Sequence, residues 1–182
     1  MSSNDPIAEP LAHENPYTPA DIISLLQQNH WLTTDPTPEQ NAWADRAAQL
    51  LGHYAEDRPA LTNLLRPIFH YDAAEILQSP DAHAALSRNS ARDVIRHLAL
   101  LLLDPAPLTS ERFKEVITHL KESCNIRSRD LFHPIRLALT GQVGEGKLDR
   151  VILLVDEAST LPFATPVKST STRILEFCAA LD

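Results

Sequence analysis

Glycine is scarce in this chain. There are four in 182 residues, and three of them fall at Gly141, Gly144 and Gly146. Aromatic residues make up only 5%, so a core must come mostly from Leu, Ala and Ile. No segment shows sustained alternation of β-branched or aromatic residues with polar ones, so strand signals are weak. Two cysteines, Cys124 and Cys178, cannot make a disulfide framework; both lie in apolar helical pattern and are expected as buried free thiols. The longest apolar run, Leu98 to Leu103, is far short of the ~20 residues a membrane span needs. No charged start leads into an apolar stretch, so no signal peptide is expected. A soluble, cytoplasmic protein with no membrane partner follows.

Positive charge is short overall: the net charge is −8. That opposes general affinity for nucleic acid or anionic lipid. The deficit is uneven. Acids outnumber bases nine to two in residues 1–60, whereas bases outnumber acids eleven to eight in residues 88–150. A local basic face is compatible with the acidic total.

Helix punctuation is abundant. Fourteen prolines mark starts and stops. Thr18-Pro19-Ala20-Asp21 and Thr37-Pro38-Glu39-Gln40 each place a capping hydroxyl before proline, with an acceptor three residues on. Asp57-Arg58-Pro59, Ser79-Pro80-Asp81, Ser90-Ala91-Arg92-Asp93 and Thr109-Ser110 read as further starts. Pro67 should kink or end the helix that begins near Asp57. The run Val94, Ile95, Leu98, Leu100, Leu101 and Leu102 is the most apolar and is expected at the centre. Asp104 to Pro107 is a break. Pro134 suits the first turn of a short helix through Leu139, and Gly141 suits the left-handed position that ends it. Lys147 to about Val155 and Thr172 to Leu181 are the last helices.

The expectation is an all-α cage of short helices in two small subdomains. Residues 1–16 are a flexible N-terminal arm, 17–104 the first subdomain and 105–182 the second, with a Ser/Thr/Pro-rich loop at 158–172.

The chemistry-bearing patterns are few. Eight histidines are scattered, with no HxxxH, HExxH or paired Cys/His spacing, so no metal site is expected. GxSxG and GxxxxGK[ST] are absent, and no acid pair has the spacing for general acid–base work. No catalytic residue and no cofactor are assigned. What stands out is Arg136, Thr140, the glycine turn and Lys147. One reading is that Arg136 salt-bridges within the helix packing and the glycines permit the turn. The other is a cationic, backbone-accessible edge suited to exposed bases of single-stranded RNA.

Pro134-Ile135-Arg136-Leu137-Ala138-Leu139-Thr140-Gly141 resembles the PLRxALTG segment in the C-terminal, anticodon-binding region of bacterial glutamyl-tRNA synthetases. ERFKEVITHLKESCNIRSRDLF before it and RILEFCAAL after it are similar to the family's flanking helices. The upstream stretch LLGHYAEDRPALTNLLRPIFHYD also resembles that region. The resemblance implies a cage of short helices that binds a tRNA anticodon. It assigns base contact to Arg136 and to the turn near Glu145, Gly146 and Leu148; with Thr140 and Lys147 from the cationic edge, these are the candidate tRNA-binding residues.

Three departures are visible. Glu145-Gly146 stands where the family commonly has Thr-Pro, and a carboxylate facing RNA is unfavourable. The loop 158–172 replaces a tight connection. The HIGH and KMSKS signatures of class I catalysis are absent, so the chain should not activate an amino acid by itself. The expected function is a stand-alone or truncated anticodon-binding module. Its candidate partners are tRNA, glutamate tRNA among them, and a separate synthetase catalytic protein. The alternative is a helical protein-interaction module that has lost RNA binding.

Overall fold

Seven helices begin on a side-chain cap, and those caps explain where the chain turns. The computed structural model describes residues 15–182; the expected N-terminal arm falls almost wholly on residues 1–14, outside the described residues. Among the described residues there are ten α-helices, one 3-10 turn and no strand, an all-α fold. Helix α1 is Pro19–Gln28 and α2 is Pro38–Leu51. Both open on a complete capping box, Thr18 with Asp21 and Thr37 with Gln40. A 3-10 turn, Gly52–Tyr54, leads to α3, Arg58–Phe69, capped by Asp57. Asp72 and Ser79 cap the short α4, Ala73–Leu77, and α5, Pro80–Leu86. Then come α6, Ala91–Leu101, and α7, Ser110–Cys124, the latter capped by Thr109. Helices α8, Arg129–Thr140, and α9, Lys147–Ser159, precede α10, Thr170–Leu181, which Ser169 caps.

Several expectations are corrected. Helix α8 carries Pro134 in its interior instead of its first turn, while α3 runs through Pro67 and ends two residues later at Phe69. Each proline frees the carbonyl four residues back. Those carbonyls belong to Asn63 and Asp130, both exposed, where water can replace the lost bond. Ser90 makes no cap bond, because its backbone is already helical (φ −96°, ψ −9°). The loop expected at 158–172 is shorter: α9 continues to Ser159 and α10 starts at Thr170. Cys124 and Cys178 are free but half-buried, on the rim of the core, where partial burial raises both thiol pKa values.

The centre is α9, not α6. Helix α6 is amphipathic, and Leu100 is 66% exposed. Helix α9 is buried on all sides from Leu148 to Val155. Leu148, Val151, Leu154, Val155 and Ala158 pack into an apolar cluster with α1, α2 and α3. Ile152 and Leu153 face a second cluster built from α4 to α8 and α10. Much of the scarce aromatic content lies in the first cluster. Trp31 stacks on Phe69 at 4.7 Å, and Phe163 meets both Trp43 and Phe69 edge-on. The Trp43 indole N–H donates to Leu154 O at 3.0 Å, tying α2 to α9.

One buried cation bridges the clusters. Arg173 of α10 is fully buried. Its guanidinium donates to Lys168 O (2.9 Å), Pro67 O (2.8 Å), Leu139 O (3.0 Å) and Ile68 O (2.7 Å). Pro67, Ile68 and Leu139 lie at the C-terminal ends of α3 and α8, where carbonyl dipoles favour a cation. Tyr71 lies under the guanidinium and donates its hydroxyl to Ala138 O. This joint fixes the end of α8, from which the glycine turn departs.

Candidate nucleic-acid interface

Helix α8 stops at Gly141, whose φ of +80° is the left-handed conformation that glycine adopts at low cost. Its N–H bonds back to Leu137 O at 2.8 Å. Thr140, itself buried, donates Oγ1–H to Arg136 O at 2.7 Å and accepts from the Gln142 N–H at 3.2 Å. The chain then crosses residues 142–146 and enters α9 without a side-chain cap. Leu148 and Asp149 close that first turn by bonding to Glu145 O and Gly146 O, each at 3.0 Å.

Arg136 holds the turn from beneath. Its Nε donates to Asp149 Oδ1 at 2.8 Å and its Nη2 to Asp149 Oδ2 at 3.0 Å. Its Nη1 donates to Gly144 O at 3.1 Å. The guanidinium lies 4.9 Å from the centre of the Phe132 ring. One side chain thus links α8, the turn and the first turn of α9. Asp149 is fully buried. Burial raises its pKa, and the hydrogen bonds and charge of Arg136 act against that rise.

The six sequence-derived residues divide by exposure. Glu145 and Lys147 are exposed, and Gly146 is half-buried. Arg136, Thr140 and Leu148 are buried, Arg136 being 9% exposed. All six lie within one continuous segment around the turn. Beside it opens a cleft of about 220 Å³ between the end of α3, α4 and Thr140–Gln142, with Arg66, His70 and Glu75 on its walls. Sequence reasoning missed Asp149, Phe132 and the Arg173–Tyr71 joint. An acid in the first turn of α9 was visible, but its pairing with Arg136 depends on how two helices pack.

Among the described residues, no three His, Cys, Asp or Glu side chains group closely enough to hold a metal ion. No helix there is long and apolar enough to cross a membrane.

Comparisons with known proteins agree with one another. Residues 20–161 match the family model described as "Anticodon binding domain". The chain is 31% identical over 126 residues to Glutamate--tRNA ligase 2 of Syntrophus aciditrophicus, covering 66% of this chain and 24% of that protein. It is 24% identical over 139 residues to Glutamate--tRNA ligase of Exiguobacterium sibiricum, and 22% over 139 residues to that of Desulforamulus reducens. Both alignments cover 76% of this chain and 28% of the ligase. The chain therefore spans about a quarter of the length of the curated relatives it matches. The family match covers α1 to α9 and stops before α10. No solved structure matches the chain.

Proposed function

This chain belongs to the anticodon-binding domain family, and from that premise we propose that it binds the anticodon arm of a tRNA and does not aminoacylate by itself. The observation that carries the reading is the turn at 142–147. It is exposed at Gln142, Glu145 and Lys147, yet anchored from below by Arg136 through Gly144 O and Asp149. Single-stranded RNA is read by groups held rigidly enough to meet splayed bases. In this reading Glu145, Gly146 and Lys147 face the bases, while Arg136, Thr140 and Leu148 hold the turn in shape. Glutamate tRNA is the first candidate because the relatives are glutamate--tRNA ligases. A separate synthetase catalytic protein is the candidate that would supply amino-acid activation, and the cytoplasm is the compartment that holds both.

The test is a gel-shift titration of the full chain at low salt, with glutamate tRNA and two unrelated tRNAs. The reading expects tighter binding to glutamate tRNA and loss of that preference in Lys147→Glu. No binding to any tRNA at low salt would overturn it.

One observation favours a second reading, a helical protein-interaction module that has lost RNA binding. Glu145 stands exposed in the turn, where it repels phosphate. Recovery of a synthetase fragment without tRNA from native extract would support that reading over the first.

A further inference from the structure

A second group of cations lies along α8, before the turn. Arg129, His133 and Arg136 are spaced four and three residues apart, which puts them on one helix face. Arg88, in the connection between α5 and α6, reaches the same end of α8 and pairs there with Asp130. Arg129 and its neighbour Arg127 are exposed, and among the described residues neither makes an ion pair. His133 is half-buried among these groups. Burial lowers its pKa first, and then Arg88, Arg136 and Arg129 lower it further, with Asp130 alone acting the other way. Three guanidiniums thus bear on one imidazole; Arg88 is paired with Asp130 and Arg136 with Asp149, so among the described residues Arg129 is the one of the three without a carboxylate partner. Like charges gathered this way repel one another and do nothing for the apolar core. An incoming anion would relieve that repulsion.

The position gives the anion a context. Arg129 lies seven residues before Arg136, about 10 Å along the helix axis. Arg136 in turn bonds to Gly144 O inside the turn. A strand whose bases meet residues 142–147 would run its backbone past Arg129 within a few nucleotides. Guanidinium forks match phosphate oxygens in pairs, and a phosphate beside His133 favours its charged form. We propose that Arg88, Arg129 and His133 form a phosphodiester-binding strip that holds the RNA backbone next to the bases met by the turn. This rests on the tRNA-binding reading and adds the surface that supplies its electrostatic part.

The experiment separates the two claims. Binding of the full chain to glutamate tRNA and to an unrelated tRNA is measured across a salt series, for the wild type, Arg129→Gln and His133→Gln. Arg129→Gln should flatten the slope of log K against log salt by about 0.7–0.9, equally for both tRNAs. Affinity in the wild type should rise on acidification toward the lowered pKa of His133, because the bound phosphate favours its charged form, and His133→Gln should abolish that rise. Tight tRNA binding with an unchanged slope in a folded Arg129→Gln protein overturns the strip and leaves the tRNA reading standing. If no tRNA binds, inorganic phosphate is titrated and followed by NMR. Shifts at Arg129 and His133 that vanish in Arg129→Gln support the strip while the anticodon reading falls. No shift there with phosphate overturns the strip as well.

Discussion

Arg136 and Asp149 are joined by two parallel hydrogen bonds, Nε to Oδ1 at 2.8 Å and Nη2 to Oδ2 at 3.0 Å, with the carboxylate fully buried. Removing either partner deprives the other buried charge of its bidentate counter-ion, leaving Asp149 only the more remote charge of Arg150, or Arg136 only the Gly144 carbonyl and the Phe132 ring. Arg136→Ala and Asp149→Ala should each lose about 3–5 kcal/mol of stability. The double variant Arg136→Met with Asp149→Leu should recover much of that loss, because it removes both desolvated charges together. Urea midpoints of the three variants check this; single variants within about 0.5 kcal/mol of wild type would show that the pair is not needed for the fold.

Arg173 is a different case, a buried cation held by four backbone carbonyls and the Tyr71 ring. Burial lowers its pKa to about 10, which still leaves it charged at neutral pH. Arg173→Met would strand the carbonyls at the ends of α3 and α8. Arg173→Lys keeps the charge but not the planar fork that reaches both helix ends. Both should cost at least about 3 kcal/mol, a fall in Tm of roughly 6–12 °C. Differential scanning calorimetry measures it, and a lysine variant that melts with the wild type would mean the charge alone suffices.

These two arginines mark where the sequence stops being readable. The caps at Thr18, Thr37, Asp57, Ser79 and Thr109 act within three residues, so local pattern was enough to place them. The resemblance to the anticodon-binding region was legible as well, and the family match over residues 20–161 bears it out. The partner of Arg136 was not, because Asp149 meets it only through the packing of α8 on α9. Arg173 bonds to carbonyls 34 and more than 100 residues away, and a carbonyl leaves no trace in sequence. Leucine count misplaced the centre on α6, since composition does not say that Leu100 faces outward. Pro134 misplaced the start of α8, since proline position does not say that the residue four back, Asp130, is exposed.

The glycines of the turn should respond differently to the same substitution. Gly141 has φ +80°, and an added Cβ would sit 2.9 Å from Ile76 Cδ1. Gly141→Ala should cost about 1–2 kcal/mol, part of it recovered by Ile76→Ala. Gly146 has φ −55° and open space around it. Gly146→Ala should be neutral or stabilise by about 0.5 kcal/mol through the unfolded chain. Equal losses from both would contradict the geometry.

His133 should make stability depend on pH with a definite sign. Its folded pKa lies below the ordinary 6.5, for burial and the field of Arg88, Arg136 and Arg129 disfavour its charged form. As pH falls through 6.5 toward the folded value, the unfolded chain takes up this proton first. The contribution is therefore complete above 6.5 and is lost on acidification through that window. His133→Gln should flatten the fall in urea midpoint between pH 7.5 and 5.5 relative to the wild type. Arg129→Gln should flatten it partly, by weakening the field. A steeper fall in either variant would reverse the assigned cause.

The exposed pair Glu145 and Lys147 decides how the turn meets RNA. They flank Gly146 and carry opposite charge on a backbone that Arg136 anchors from beneath. If the turn faces a strand, Glu145 opposes binding and Lys147 favours it, each by about 0.3–1 kcal/mol at low salt. Glu145→Gln should then tighten tRNA binding about two- to fivefold, and Lys147→Gln should weaken it by a similar factor. Neither side chain is part of the Arg136–Asp149 pair, so urea midpoints should stay within about 0.5 kcal/mol of wild type. Gel shifts on the two variants therefore report on the interface and not on folding. Were Glu145→Gln to leave tRNA affinity unchanged while weakening capture of a synthetase fragment, the carboxylate would be a protein contact, and the turn would belong to the interaction reading.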